Sequence, residues 1–253
     1  MKGISYYYRD INGREIHPVR LTETQEKICR RIVSIAKFFF KGGYSLGGIP
    51  FRGFLLEGPP GNGKTEIARQ AVRKLAYDIG EVYLRFVDSA KIARPEWGKA
   101  EEALNIQFVA EPGKRVVLLL DDVDCLLIKR GAEVAREWHY SINALLFHNL
   151  DNINPANILV IATTNRPSLI DYALRSRLYS IRVPPLPIEE LEQVARDMLE
   201  ASWPPSMSQS GESLKKEILK AIIEELKQKR YPSIRDVQHL IITYCIEWGV
   251  WTP

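Results

Sequence analysis

Gly58-Pro59-Pro60-Gly61-Asn62-Gly63-Lys64-Thr65 has the form G-x-x-x-x-G-K-T. It follows the apolar run Phe54-Leu55-Leu56 and opens a helical pattern over Lys64–Tyr77. That strand–loop–helix setting is the one in which such a segment cradles phosphate. Glycines let the backbone wrap so that successive N–H groups face an anion, and the helix N-terminus adds partial positive charge. Lys64 is expected to reach the β- and γ-phosphates of ATP, and Thr65 to ligate Mg²⁺. Gly58, Pro59, Pro60, Gly61, Asn62, Gly63, Lys64, Thr65 and the adjoining Glu66 are the candidate nucleotide-binding residues.

Outward from this loop, short apolar runs alternate with amphipathic stretches. The runs are Val82–Val87, Val116–Leu120, Ile158–Ala162 and Ile181–Val183. The helical patterns are Gly98–Ala110, Val134–Leu150 and Asp171–Leu178. Strands alternating with helices predict a parallel sheet covered on both faces. Before the loop, Asn12-Gly13 between Ile4 and Val19 reads as a hairpin turn. A helix is expected from Thr22, with Gln25 completing a capping box. After Pro184-Pro185-Leu186-Pro187 the strand signals stop. Helical patterns follow over Ile188–Glu200, Leu214–Lys229 and Ile234–Trp248, with Ser202–Glu212 as a surface loop between the first two.

Two further motifs carry chemistry. Val116-Val117-Leu118-Leu119-Leu120-Asp121-Asp122 is a buried apolar strand ending in acids, the Walker B pattern. Asp121 is the expected Mg²⁺ holder and Asp122 the group that polarises an attacking water. In Ile158-Leu159-Val160-Ile161-Ala162-Thr163-Thr164-Asn165-Arg166-Pro167, Asn165 sits just past a buried strand. An uncharged amide there can hold a water in line with the γ-phosphate without competing for the metal.

Composition sets the outer bounds. The 253 residues are 45% hydrophobic and 26% charged, as in an ordinary globular protein. No apolar run approaches the ~20 residues of a membrane span, and no secretory signal is visible. Cys29, Cys125 and Cys245 are odd in number and far apart, which argues against a disulfide framework and a clustered zinc site. They read as buried small hydrophobes in a reducing, cytoplasmic setting. The net charge of +4 permits nucleic-acid binding without demanding it.

The order of these motifs resembles that of the AAA+ ATPases, and more closely the AAA proper group. The resemblance rests on Asp121-Asp122-Val123-Asp124, Lys129-Arg130, Ala162-Thr163-Thr164-Asn165-Arg166-Pro167 and Phe51-Arg52-Gly53-Phe54-Leu55-Leu56-Glu57. Gly48-Ile49-Pro50 is similar to the branch that contains the mitochondrial Rieske-protein translocase. What it implies is an α/β fold: a P-loop NTPase parallel sheet sandwiched by helices, followed by a small all-helical lid domain. The corresponding divisions are an N-terminal hairpin or extension over 1–20, the ATP-binding domain over 21–184 and the lid over 185–253. It further implies assembly as a homo-oligomeric ring, a hexamer, and ATP hydrolysis shared between neighbouring chains.

Individual roles follow from the same resemblance. Arg177, in Ala173-Leu174-Arg175-Ser176-Arg177, looks like the arginine finger, with Arg175 as the rival because this segment is shorter than the family's usual form. The plain alternative is that both arginines pair with acids of their own chain. Arg235 matches the second sensor, and His17, Pro18 and Val19 are the expected adenine neighbours. Trp97-Gly98 falls near the element that grips polypeptide in family unfoldases, although Glu96 takes the usual aromatic position. Asp122 stands where the family usually has Glu. Three functions are consistent with these features. The first is a ring motor that remodels, unfolds or threads protein; the second is a nucleic-acid motor accessory such as a clamp or helicase loader. The third is a nucleotide-dependent scaffold of low turnover.

Overall fold

The computed structural model describes residues 15–42, 51–88, 99–125, 137–207 and 211–251. The expected hairpin over Ile4–Val19 lies mostly outside these residues, as do Gly48-Ile49-Pro50, Trp97-Gly98 and Lys129-Arg130.

The described residues form two compact units. The first is built on 25–58 and 64–183, and the second on 22–24, 59–63 and 184 onward. In the first unit the elements run α1 (Glu23–Phe40), β1 (Gly53–Glu57), α2 (Lys64–Ile79), β2 (Val82–Asp88) and α3 (Lys99–Gln107). They continue with β3 (Arg115–Asp121), α4 (Glu137–Asn152), β4 (Ile158–Thr164), α5 (Tyr172–Arg177) and β5 (Tyr179–Arg182). The five strands pair in parallel in the order β2-β3-β4-β1-β5.

Strand alternation divides the core. Phe54, Leu56, Val117, Leu119, Ile161 and Ile181 face one side, where Cys29, Ile32 and Ala36 of α1 and Ile67, Ala71 and Leu75 of α2 cover them. Leu55, Leu118, Leu120 and Val160 face the other, against Leu104, Leu146, Leu150 and Leu174. Central strands buried on both faces lose the polar–apolar alternation of a one-sided sheet, which is why β3 and β4 read as continuous apolar runs. Gly53 is fixed by this pairing: its φ is +146° and a Cβ there would overlap the carbonyl of Val160 on β4.

In the second unit, α6 (Ile188–Ser202), α7 (Glu212–Gln228) and α8 (Ile234–Glu247) enclose a core of Leu191, Ala195, Leu199, Ile218, Ile222, Leu226, Val237, Ile241 and Cys245. Within the expected loop over Ser202–Glu212, a 3-10 turn spans Pro205–Met207 and α7 begins at Glu212. Among the described residues no helix is long and apolar enough to cross a membrane.

Candidate nucleotide and hydrolysis site

Parallel strands deliver their C-terminal ends to one edge of the sheet, and the loops that follow β1, β3 and β4 meet there. The register places Glu57 beside Thr164 and Leu120 beside Ala162. The acids after β3 and the hydroxyls and amide after β4 are therefore neighbours of Gly58, Lys64 and Thr65.

Gly58 donates its N–H to the Thr164 carbonyl at 3.3 Å. A side chain at this position would overlap the Val183 carbonyl, so the close passage of the chain requires glycine. Lys64, the first residue of α2, is only 6% exposed. Its ammonium donates to the Gly58 carbonyl at 2.9 Å and to Asn165 Oδ1 at 2.6 Å. Within the second unit, Gly61 has φ +78°, and a Cβ there would lie 2.6 Å from Ser233 Oγ and 3.3 Å from the Cβ of Arg235. Asn62 is buried and donates from Nδ2 to the Pro184 carbonyl at 3.4 Å.

Thr65 and Asp121 are drawn together, the hydroxyl donating to Asp121 Oδ1 at 2.7 Å. Thr163 donates to the same oxygen at 2.8 Å and accepts from the Asp122 N–H at 2.9 Å. A threonine hydroxyl and a carboxylate form a hard-oxygen donor set of the kind Mg²⁺ takes together with substrate phosphates. Among the described residues no group of three or more His, Cys, Asp or Glu could hold a metal by itself. The Thr65–Asp121 pair fits such a shared cation.

Asp122 takes a left-handed backbone, φ 53°, which Asp tolerates better than bulkier residues. The turn leaves it exposed and aims Oδ1 at Asn165, whose Nδ2 donates to it at 2.9 Å. Desolvation raises its pKa above the ordinary carboxylate value, as do the charge of Asp124, a hydrogen bond with it and the charge of Asp121; the Asn165 amide opposes them. A carboxylate so tuned is a better proton acceptor than a free aspartate. Asp124 accepts the Thr164 hydroxyl and, at 3.0 Å, the Asn165 backbone N–H.

Thr163, Thr164 and Asp124 were not expected as site residues. The signal that finds them is positional: two hydroxyls end a strand whose neighbour in the sheet ends in acids.

Both arginines of α5 engage acids of their own chain. Arg177 donates from Nε and Nη2 to the two oxygens of Asp151 at 2.9 and 2.8 Å, and from Nη1 to the Ala173 carbonyl at 2.9 Å. Its guanidinium also lies over the Phe147 ring. Arg175 pairs with Glu57 at 3.0 Å. Arg235 is exposed at the start of α8. Val19 is 49% exposed, and the His17 carbonyl accepts from Gln70 Nε2 at 2.8 Å. Glu66 turns to the same Gln70 amide at 2.7 Å.

The sheet order, the glycine loop and the paired acids define a P-loop NTPase fold of the AAA+ type. The sequence pattern of the family described as "ATPase family associated with various cellular activities (AAA)" matches residues 54–186, more than half of the chain, and the chain belongs to that family of ATPases. It is similar to a protein of Bifidobacterium adolescentis described as "AAA ATPase forming ring-shaped complexes", 30% identical over 215 residues, 81% of this chain and 40% of that protein. A protein of the same description from Corynebacterium jeikeium is 32% identical over 131 residues, 49% of this chain and 25% of that one. The chain thus spans well under half the length of these relatives. In fold it is similar to a chain of the solved "Structure of E. coli MS115-1 HORMA:CdnC:Trip13 complex", with a TM-score of 0.60 at 15% identity, covering 88% of this chain and 89% of that one.

Proposed function

We propose that the chain is the ATP-hydrolysing unit of a homo-oligomeric ring that remodels, unfolds or threads protein. The observation that carries this reading is the convergence of Lys64, Asn165 and Asp122 beside the Thr65–Asp121 pair. The reaction is ATP + H₂O → ADP + phosphate. The loop N–H groups and Lys64 hold the β- and γ-phosphates, for which Lys64 exchanges its contacts with Asn165 and Gly58. Asp122 accepts a proton from the attacking water as its oxygen bonds to phosphorus. Asn165 orients that water through the Oδ1 that Lys64 gives up. Thr65 and Asp121 would hold Mg²⁺, which would supply charge neutralisation.

Assembly into a ring, a hexamer in this reading, is supported by the descriptions of the relatives. Arg177 is the finger offered to a neighbouring chain's phosphate, and Arg175 is the rival. The residues of 185–253 act as a lid. Arg235 is read as a sensor of the γ-phosphate, a role supported by its approach to Gly61. Val19, with His17 and Pro18, remains our choice for the adenine end. The buried free thiols Cys29 and Cys245 support a reducing, cytoplasmic setting.

The test is the stimulation of turnover by an unfolded polypeptide compared with single-stranded DNA. Stimulation by polypeptide alone is expected. Stimulation by DNA alone overturns the protein-remodelling reading in favour of a nucleic-acid accessory.

A further inference from the structure

We propose that Asp124 is a positioning residue for hydrolysis: by anchoring the turn 164–166, it holds the Asn165 amide in register between Lys64 and Asp122. The inference rests on the hydrolysis site described above and adds a residue to it.

The chain of contacts is continuous. β3 ends at Asp121, and the 3-10 turn Val123–Cys125 folds the chain back toward the end of β4. Val123 is fully buried in the core and fixes that turn. Besides its hydrogen bond with Asp122, Asp124 engages the β4 turn with both oxygens. Oδ1 accepts the hydroxyl of Thr164, which is itself fully buried, and Oδ2 accepts the Asn165 N–H at 3.0 Å. The Thr164 oxygen accepts from the Arg166 N–H at 3.0 Å, so its one proton is committed to Asp124. One carboxylate thus ties down the turn from which Asn165 projects.

Asn165 needs this restraint because its task is directional. Its Oδ1 faces an ammonium that can only donate, and its Nδ2 faces a carboxylate oxygen. A turned or displaced amide breaks both contacts and misplaces the water. Hydrogen bonds to a charged acceptor are the stronger kind, and a buried hydroxyl that loses its acceptor has no solvent to replace it. Asp124 itself makes no contact with the phosphate loop among the contacts described, so nucleotide binding does not require it.

The experiment compares Asp124→Asn, Thr164→Val and Thr164→Ser with Asp122→Asn and Asn165→Ala in the full chain under assembling conditions. Steady-state ATP turnover, the dissociation constant of a fluorescent ATP analogue and the melting temperature are read for each. Asp124→Asn keeps the shape but can accept only one of the two bonds, its NH₂ facing either the Asn165 N–H or the Thr164 hydroxyl. It is expected to lower kcat by roughly 10- to 100-fold, the scale of an ångström's misplacement. Analogue binding should stay within about twofold, because the phosphate cradle is untouched.

Thr164→Val, which keeps the volume and loses the hydroxyl, should lower kcat more than Thr164→Ser, which keeps the hydroxyl and loses the methyl. Packing alone ranks those two the other way, and this pair decides the matter if Asp124→Asn fails to fold. Turnover of Asp124→Asn within twofold of the parent, while Asp122→Asn and Asn165→Ala are inactive, overturns the role of Asp124 and leaves the site intact. Loss of analogue binding in step with turnover also overturns it. Full activity in all five variants overturns the site itself.

Discussion

Lys64 Nζ lies 2.6 Å from Asn165 Oδ1, joining the first residue of α2 to the first residue beyond β4. The phosphate-loop cation is thereby held by the same amide that contacts Asp122. The proposed binding and hydrolysis groups are thus linked through one side chain. In the proposed mechanism a phosphate that takes Lys64 also frees Asn165 Oδ1 to accept from a water, which would couple nucleotide binding to water placement.

Lys64→Ala is expected to weaken ATP binding by about 3 kcal/mol, roughly a hundredfold. In the proposed site the buried Lys64 ammonium is the cation the loop presents to the phosphates. Titration with a fluorescent ATP analogue checks this; an unchanged dissociation constant removes the phosphate-loop assignment.

Asp122→Asn should leave analogue binding near that of the parent and lower turnover by about 10²–10⁴-fold, the usual contribution of a positioned base. The variant keeps the shape of the turn and loses the proton acceptor. Steady-state phosphate release measures it. Turnover that survives within a few fold places the base elsewhere and favours a low-turnover scaffold.

The fold and the candidate site were legible because their signals are local. Gly58–Thr65 is contiguous, and its strand–loop–helix setting reads directly from Phe54-Leu55-Leu56 and the pattern after Lys64. Asp121, Asp122 and Asn165 stand at the ends of short apolar runs of the kind that buried strands produce. Asp124 and Thr164 were less visible because their role depends on strand adjacency, and β3 and β4 are neighbours only in the folded sheet. Sequence spacing also could not show that Arg177 is held by Asp151, 26 residues away, or that Arg175 meets Glu57, 118 residues away. Such partners are fixed by how helices settle on the sheet rather than by any local pattern.

The cap of α8 gives a stability prediction. Ser233 Oγ accepts from the Asp236 N–H at 3.3 Å, and Asp236 Oδ2 accepts from the Ser233 N–H at 2.9 Å, a reciprocal capping box. Burial pushes the Asp236 carboxyl up, but hydrogen bonds from Ser233 and Lys229 and the Lys229 charge outweigh it and hold the pKa below its ordinary value. A depressed folded-state pKa gives stability that is present above the unfolded value, near 4, and lost as pH falls through the folded one. Ser233→Ala should therefore cost about 1 kcal/mol near neutral pH. Its deficit against the parent should shrink below about pH 4 as Asp236 protonates. Thermal melts across pH 3–7, a range set by the ordinary Asp value, check both points; a deficit that grows toward low pH contradicts the sign.

Arg177 provides the sharpest test of a shared site. All three of its guanidinium nitrogens are engaged within the chain, with Asp151 and the Ala173 carbonyl, so it reaches a phosphate only by exchanging these partners or with its remaining N–H groups. If it serves a neighbouring chain, Arg177→Ala should bind the ATP analogue like the parent, because its own glycine loop is unchanged. Its turnover should fall by about 10³–10⁵-fold, the range of a lost finger. Mixing it with an excess of Lys64→Ala chains should restore part of the activity. In mixed rings the Arg177→Ala chain offers an intact phosphate loop and the Lys64→Ala chain an intact arginine, whereas each variant alone lacks one half of every site. Phosphate release is measured for each variant and for the mixture, with native gels to show that mixed assemblies form. A mixture that stays as inactive as its components, despite mixed assembly, removes Arg177 from the in-trans role. The same complementation with Arg175→Ala then tests the residue paired with Glu57.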